Sequence, residues 1–493
     1  MTTGRRARAL MIQGTGSHAG KTVLVAGLCR LLARRGLDVL PFKSQNMALN
    51  AFVTADGGEM GWAQAMQAEA AGATPRVEMN PVLLKPRRDR SQVVLLGKVL
   101  SEVGARDYYR MASTLWPAIE TSYRTLARSA DVVVIEGAGS PAEPNLMRRD
   151  LANMRVARMA RASVVIVGDI DRGGVFASLV GTMALLPRGD RARVGGFLIN
   201  KFRGDAALLA PALRDLARRT RKPTLGVVPF LPRLNLPEED SVALDSRRPA
   251  TPHAALTIGI VRLPHIANFT DFAPLESEPG VELRYAETAR DLVDVDLAVL
   301  PGSKDTIADL RFVRLQGFEA VLRAHLARGG AVLGICGGYQ MLGHSVEDPG
   351  AVESGGAERG LGLLPVRTVL ESQKTTRRVV AAWLPDGPGF DAYEIHVGRT
   401  EREAPANPFF TVEGAPEGCV SVDGRIRGTY LHGLLDSAAA RRCLLDWARA
   451  TRAEPGDAPA RDARNLREAA YDRLADTLEA VVELAVIDEL IAM

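Results

Sequence analysis

The stretch Ala9-Leu-Met-Ile-Gln13, running directly into Gly14-Thr-Gly-Ser-His-Ala-Gly-Lys-Thr22, decides how the first half of this chain is read. It spells a short apolar strand, a glycine-rich loop and then a helix over Thr22–Arg35, closed by Gly36 where a C′ residue with positive φ is wanted. Glycines let backbone fold around an anion, and the amides and dipole of the following helix offer positive potential to phosphate oxygens. In such a loop Gly14, Thr15 and Gly20 form the cradle, Lys21 reaches the outer phosphates of ATP, and the Thr22 hydroxyl ligates Mg²⁺. The spacing departs from GxxxxGK[ST]: Thr15 stands where the first glycine belongs, and Gly14 lies one residue further out.

Acids at neighbouring strand ends are the expected partners of this loop. Glu136 closes the run Val132-Val-Val-Ile135 and suits a metal or its water. Glu59, in Asp56-Gly-Gly-Glu-Met60, is a second metal candidate, with a plain surface position as the alternative. Asn200, after the run Gly196–Ile199, is placed to read an adenine edge.

Outward from this loop the same alternation continues. Further strands are expected at Val164–Val167, Thr224–Val228, Leu256–Val261, Leu297–Leu300 and Ala331–Ile335, with helices at Met60–Ala71 and Phe318–Arg328. Short β-branched runs between helical segments mean α/β construction with parallel sheets. A proline-bearing, aperiodic stretch (Pro232, Pro237, Pro249, Pro252) puts a linker near residues 245–254. The expected organisation is a phosphate-loop domain over residues 1–245, a second α/β domain over 254–447, and a helical extension over 448–493. In that extension Leu474, Leu478, Val481, Val482 and Ala485 recur at helical spacing, as in a helix packed on a domain, or one offered to a partner.

The second half carries its own chemistry. Ala331-Val-Leu-Gly-Ile-Cys-Gly-Gly-Tyr-Gln-Met-Leu342 is a strand, a sharp Gly-x-Cys-x-Gly turn and a helix, the cysteine form of a nucleophile elbow. A helix N-terminus favours thiolate over thiol. The base for Cys336 is expected to be His432 in Gly428-Thr-Tyr-Leu-His-Gly433, with His396 as its rival. Amides at Gly337 and Gly302 are candidates for an oxyanion hole.

Composition bounds the rest. The chain has 493 residues, 46% hydrophobic and 24% charged, with a net charge of +4, which excludes a mainly disordered chain and argues against a dedicated nucleic-acid binder. Four scattered cysteines without a CxxC pair argue against a disulfide framework or zinc ribbon and for a reducing cytoplasm. No run of about 18 apolar residues offers a membrane span, and the basic start, Arg5 to Arg8, leads into glycines without a cleavage site.

With both motifs in hand, the chain resembles the glutamine-hydrolysing cobyric acid synthase family over nearly its whole length. The first half is similar to dethiobiotin-synthetase-like ATP-dependent ligases and the second to class I glutamine amidotransferase domains of flavodoxin-like fold. The segments Asn80-Pro-Val-Leu-Leu-Lys-Pro86, Asp169-Ile-Asp-Arg-Gly-Gly-Val-Phe176, Asn268-Phe-Thr-Asp-Phe272 and Tyr393-Glu-Ile-His-Val-Gly398 carry the resemblance to this branch. It implies glutamine as nitrogen donor, adenosylcobyrinic acid a,c-diamide as acceptor, ATP with Mg²⁺, and no nucleic-acid or membrane partner; a homo-oligomer is allowed. The family pattern of a glutamate two residues after the histidine is broken here by Leu434. The expectation is therefore a Cys336–His432 dyad, with Glu394 as the alternative third member.

The nearest rival readings are a cobyrinic acid a,c-diamide synthase or an amidase acting on a cell-wall precursor. From another class comes a partition-type phosphate-loop ATPase switch. That last class carries a lysine five residues before the loop lysine, where this chain has Gly16, and has no use for a cysteine elbow.

Overall fold

The computed structural model describes residues 7–87, 90–232, 234, 236–237, 254–403, 406–450 and 461–492. They divide into two compact units. The first takes the described residues within Met1–Ala48, Gly58–Leu234 and Glu468–Met493, and the second those within Leu49–Gly57 and Asn235–Arg467. Each unit thus draws a piece of chain from the other half, where contiguous domains and a separate extension are expected from sequence. Positions 245–253 of the expected linker lie outside the described residues.

The first unit is built on β1 (Arg8–Gly14), β2 (Val39–Phe42), β3 (Val132–Glu136), β4 (Ser163–Asp169), β5 (Val194–Phe202) and β6 (Thr224–Pro229). They form one parallel sheet in the order β6-β5-β4-β1-β3-β2. β3 is buried at every position, the continuous apolar run that a sheet covered on both faces requires. β1 lies centrally, with β4 on one side and β3 on the other, so the loop after it opens at the carboxyl end of the sheet, where α/β proteins bind ligands. Helix α1 (Lys21–Arg34) follows that loop, and Gly36 after it has φ +83°. The segment expected as one helix over Met60–Ala71 instead opens as a strand, Glu59–Gly61, before helix α2 (Trp62–Ala70). A second sheet of the unit pairs Val82–Arg87, Arg90–Leu95 and Lys98–Gly104 antiparallel, with Gln45–Met47 parallel to the first of them.

The second unit has β7 (Leu256–Val261), β8 (Val281–Ala286), β9 (Leu297–Leu300), β10 (Ala331–Ile335), β11 (Val366–Trp383), β12 (Gly389–Arg402) and β13 (Ile426–Thr429). Its parallel sheet runs β8-β7-β9-β10-β13, with Cys419–Val420 antiparallel at the edge. Helix α3 (Gly337–Leu342) follows β10, the second α/β motif's strand, and β11 and β12 pair as one long antiparallel hairpin. The core of this unit gathers Leu256, Ile258, Ile260, Val299, Leu333 and Ile335 around Phe272, Phe318 and Leu431.

The chain ends with α4 (Ala463–Val481) and α5 (Leu484–Ala492). Ala475, Leu478, Val482, Ile487 and Leu490 enter the same core as Leu10, Ile12, Val25 and Leu28, so Leu478 and Val482 of the apolar stripe read from sequence lie on a packing face of the first unit, while Ala485 of that stripe is exposed. Ion pairs from Arg30 to Asp472 and from Arg35 to Asp488, both 2.8 Å, bind α1 to these helices. No helix among the described residues is long and apolar enough to cross a membrane.

Candidate active sites

In the first unit the loop between β1 and α1 is held by its neighbours. Thr15 N–H donates to Val167 O at 2.9 Å, and Gly20 turns the chain into α1 with φ +87°. Asn200, expected at an adenine edge, has its amide on the loop instead: Nδ2 donates to Ala19 O at 2.9 Å, so close that a Cβ on residue 20 would collide with it. Lys201 adds a bond to His18 O and an ion pair to Asp169, each 2.8 Å. Lys21 is buried and folds over the loop, with Nζ 2.8 Å from Gly16 O and 3.3 Å from Gly139 O.

Glu136 sits at the centre of this group. Its Oε1 accepts from Thr22 Oγ1 and from Lys43 Nζ, both at 2.9 Å, and its Oε2 from Gln67 Nε2 at 2.6 Å. Burial alone would raise its carboxyl, but the Lys43 charge beside it, with bonds from Lys43 and Gln67, holds it below the usual range and therefore ionised. The buried Gln13 and Gln67 each leave an Oε1 without a protein donor. A hydroxyl, a carboxylate and spare oxygens are the hard donor set that fits Mg²⁺, which takes few protein ligands and completes its shell with phosphates and water. Glu59 is buried and already carries a cation, Lys85 Nζ at 2.7 Å.

In the second unit Cys336 occupies the turn between β10 and α3 with φ +51° and ψ −109°, a conformation that non-glycine residues adopt only under local strain. Two close approaches permit the turn. A Cβ on Gly338 would collide with Leu300 O, and one on Gly334 would lie 2.8 Å from Gly338 O. Gly337 meets the loop after β9, where its Cβ would fall 2.8 Å from Ser303 N, and a Cβ on Gly302 would lie 3.6 Å from His432 Cε1. The four residues Cys336, Gly337, Gly302 and His432 are thereby gathered in one place.

His432 is buried, with the Cys336 side chain close enough to raise its imidazole, while Cys336 Sγ itself lies 3.8 Å from Ile395 O. Its other nitrogen, Nδ1, lies 2.6 Å from Asp271 Oδ2, while Asp271 Oδ1 accepts from Gly433 N–H at 3.2 Å. Burial would lower the imidazole, but Asp271 and then Cys336 outweigh it and push the group up to about 10, so the ring favours the cationic form.

This corrects the expected dyad and its alternative. Glu394 is bonded to Arg377 on the hairpin and lies 3.8 Å from His396 Nε2. The acid on the histidine is Asp271, 161 residues before it in sequence. Its only signal was the Asn268–Phe272 segment, read for likeness and not for chemistry. His396, the rival base, bonds Gly398 O at 2.8 Å through Nδ1 and stacks on Tyr430.

The family description "CobQ/CobB/MinD/ParA nucleotide binding domain" matches residues 10–243, and "CobB/CobQ-like glutamine amidotransferase domain" matches residues 257–440. A cobyric acid synthase of Sorangium cellulosum (strain So ce56) is 50% identical over 98% of this chain and 98% of its own. One from Desulforudis audaxviator (strain MP104C) is 50% identical over 96% of this chain and 97% of its own. A third, from Cereibacter sphaeroides (strain ATCC 17023), is 49% identical over 97% and 98%. Identity at this level across both halves is not shared with a partition-type switch, which has no amidotransferase half. By its two domains and its whole length, the chain belongs to the cobyric acid synthase family.

Proposed function

We propose that this chain amidates the b, d, e and g carboxylates of adenosylcobyrinic acid a,c-diamide, using glutamine as nitrogen donor and ATP with Mg²⁺ to activate each acid. The observation that carries the reading is the line Cys336–His432–Asp271 on a strained elbow, in a chain that also holds a phosphate loop. His432 takes the thiol proton, and Cys336 Sγ attacks the glutamine carboxamide carbon. Charge that develops on the carboxamide oxygen meets the N–H groups of Gly337 and Gly302. Collapse breaks the C–N bond, His432 returns its proton to the departing ammonia, and water then hydrolyses the γ-glutamyl thioester to glutamate.

In the first unit, Lys21 and the loop amides hold the phosphates of ATP. Thr22 and Glu136 would hold Mg²⁺, which when bound neutralises phosphate charge. A substrate carboxylate oxygen attacks the γ-phosphorus and ADP leaves, giving an acyl phosphate. Ammonia attacks the acyl carbon, the acyl C–O bond breaks with its electron pair on the departing phosphate, and one proton lost from nitrogen leaves the carboxamide. A carboxylate is a poor electrophile, and phosphorylation turns its oxygen into a leaving group. Ammonia is mostly protonated at neutral pH, so a local supply keeps the nucleophile available. Free thiols at all four cysteines suit a cytoplasmic setting.

The test is mass spectrometry of product formed from adenosylcobyrinic acid a,c-diamide, glutamine and MgATP, where four successive conversions of carboxyl to carboxamide are expected. Cys336→Ala should abolish the reaction with glutamine and spare it with ammonium. Loss of both activities in a folded variant refutes the division of labour.

A further inference from the structure

Asn268 lies against the histidine and belongs to neither motif. It is buried, with backbone φ +52°, and its side chain bridges two groups. Oδ1 accepts from Ala51 N–H at 3.0 Å, and Nδ2 faces His432 Nε2 at 3.4 Å. The first bond fixes the second: a backbone N–H can only donate, so the amide must turn its oxygen to Ala51 and its NH₂ to the imidazole. Nε2 is also the nitrogen that must take the Cys336 proton. An NH₂ group there is satisfied by a neutral ring and opposed by a protonated one.

We propose that Asn268 is a positioning residue of the glutaminase site, its amide locked by the Ala51 peptide so that its NH₂ faces His432 Nε2 and weakens the preference of the ring for the imidazolium. This rests on the glutaminase reading above. The titratable groups facing the ring are Asp271 at Nδ1, Cys336 at the elbow and Tyr393 of β12, which stacks on it at 5.2 Å. Asp271 and Cys336 favour the proton; Asn268 works against them. Tyr393 also ties Ala51 in place, donating from its hydroxyl to Ala51 O at 3.4 Å while its backbone exchanges bonds with His432 at 2.9 and 3.0 Å. Ala51 is thus linked to the catalytic ring through Asn268 and Tyr393, although in sequence it stands within the nucleotide-binding half. If Ala51 shifts, the amide is free to turn its oxygen to Nε2–H and support the ion pair it now weakens.

The experiment is the pH dependence of glutamine hydrolysis by the full-length protein, with wild type, Asn268→Gly and Asn268→Asp. Glycine removes the amide at a left-handed position without backbone strain, and aspartate offers oxygen in place of NH₂. The high-pH limb, where the imidazolium is lost, should move up by about one pH unit in Asn268→Gly, a tenfold change in the imidazolium-to-imidazole ratio. It should move further in Asn268→Asp. Ammonium-dependent amidation reports folding and should stay at the wild-type rate. A limb unmoved or lowered in both variants overturns the role of Asn268. Glutamine hydrolysis that survives Cys336→Ala in an otherwise unchanged chain overturns instead the reading on which it rests.

Discussion

Asp271→Asn is the sharpest test of how the second site is wired. Asp271 serves two donors at once: Oδ1 takes Gly433 N–H at 3.2 Å and Oδ2 takes His432 Nδ1–H at 2.6 Å. An asparagine has one oxygen for the two. If it keeps the backbone bond, its NH₂ faces Nδ1, and the ring must carry its proton on Nε2, where it can no longer accept from Cys336. The charge is lost as well. The ordinary imidazole value of 6.5 is lifted to about 10, and that gap corresponds to about 5 kcal/mol of preference for the imidazolium. Burial, unopposed, then favours the neutral ring. A wrong-tautomer exchange of this kind in a serine-protease triad lowers kcat by roughly 10⁴-fold, so a fall of about 10³- to 10⁴-fold in glutamine hydrolysis is expected. The high-pH limb should move down, opposite to the Asn268 variants, while ammonium-dependent amidation stays intact. Stability carries the same signature. Because the folded chain raises this histidine, its contribution is whole below pH 6.5 and is lost as pH rises through about 10. Denaturant unfolding of wild type should show that decline and Asp271→Asn should not. Glutaminase activity within about threefold of wild type, with an unmoved limb, would refute the assignment of Asp271.

Two further outcomes follow from the first unit. Lys21→Ala should lower amidation on the order of 100-fold or more with either nitrogen source while leaving Cys336-dependent glutamine hydrolysis in place, as steady-state rates with glutamine and ammonium will show; equal rates with ATP in both proteins contradict the phosphate-loop role. Leu478→Ala empties a fully buried position in the core shared by α1 and the last two helices and should cost about 2–5 kcal/mol in denaturant unfolding. A change under 1 kcal/mol would mean that α4 is not packed there.

Motifs with dense local constraints were legible in sequence. Strands Leu256–Val261, Leu297–Leu300 and Ala331–Ile335 fall on the expected residues, because a strand covered on both faces is a mostly apolar run, interrupted in the first only by the half-buried Thr257 and by Gly259. The elbow was legible for a related reason, since only glycine fits at 334 and 338. The long hairpin was not: β11 carries Arg367, Glu371, Lys374, Arg377 and Arg378, and such a half-exposed strand looks like loop when read locally. Asp271 escaped for a different reason. It reaches His432 only because the 3₁₀ segment Phe269–Ser277 brings residues far apart in sequence to one ring. Glu394 stands in the distinctive segment Tyr393–Gly398, but on the hairpin register it lies opposite Arg377, which claims its carboxylate.

The allotment of chain to the two units bears on how such a protein can be taken apart. Nine residues from the nucleotide-binding half, Leu49–Gly57, include the peptide that orients Asn268, and the final stretch from Glu468 onward fills the core behind the phosphate loop. A gene cut once between the halves would give a ligase piece short of its closing helices and a glutaminase piece missing the neighbour of its own base. Fission into separate subunits therefore demands rerouted termini, not merely a stop codon and a new start.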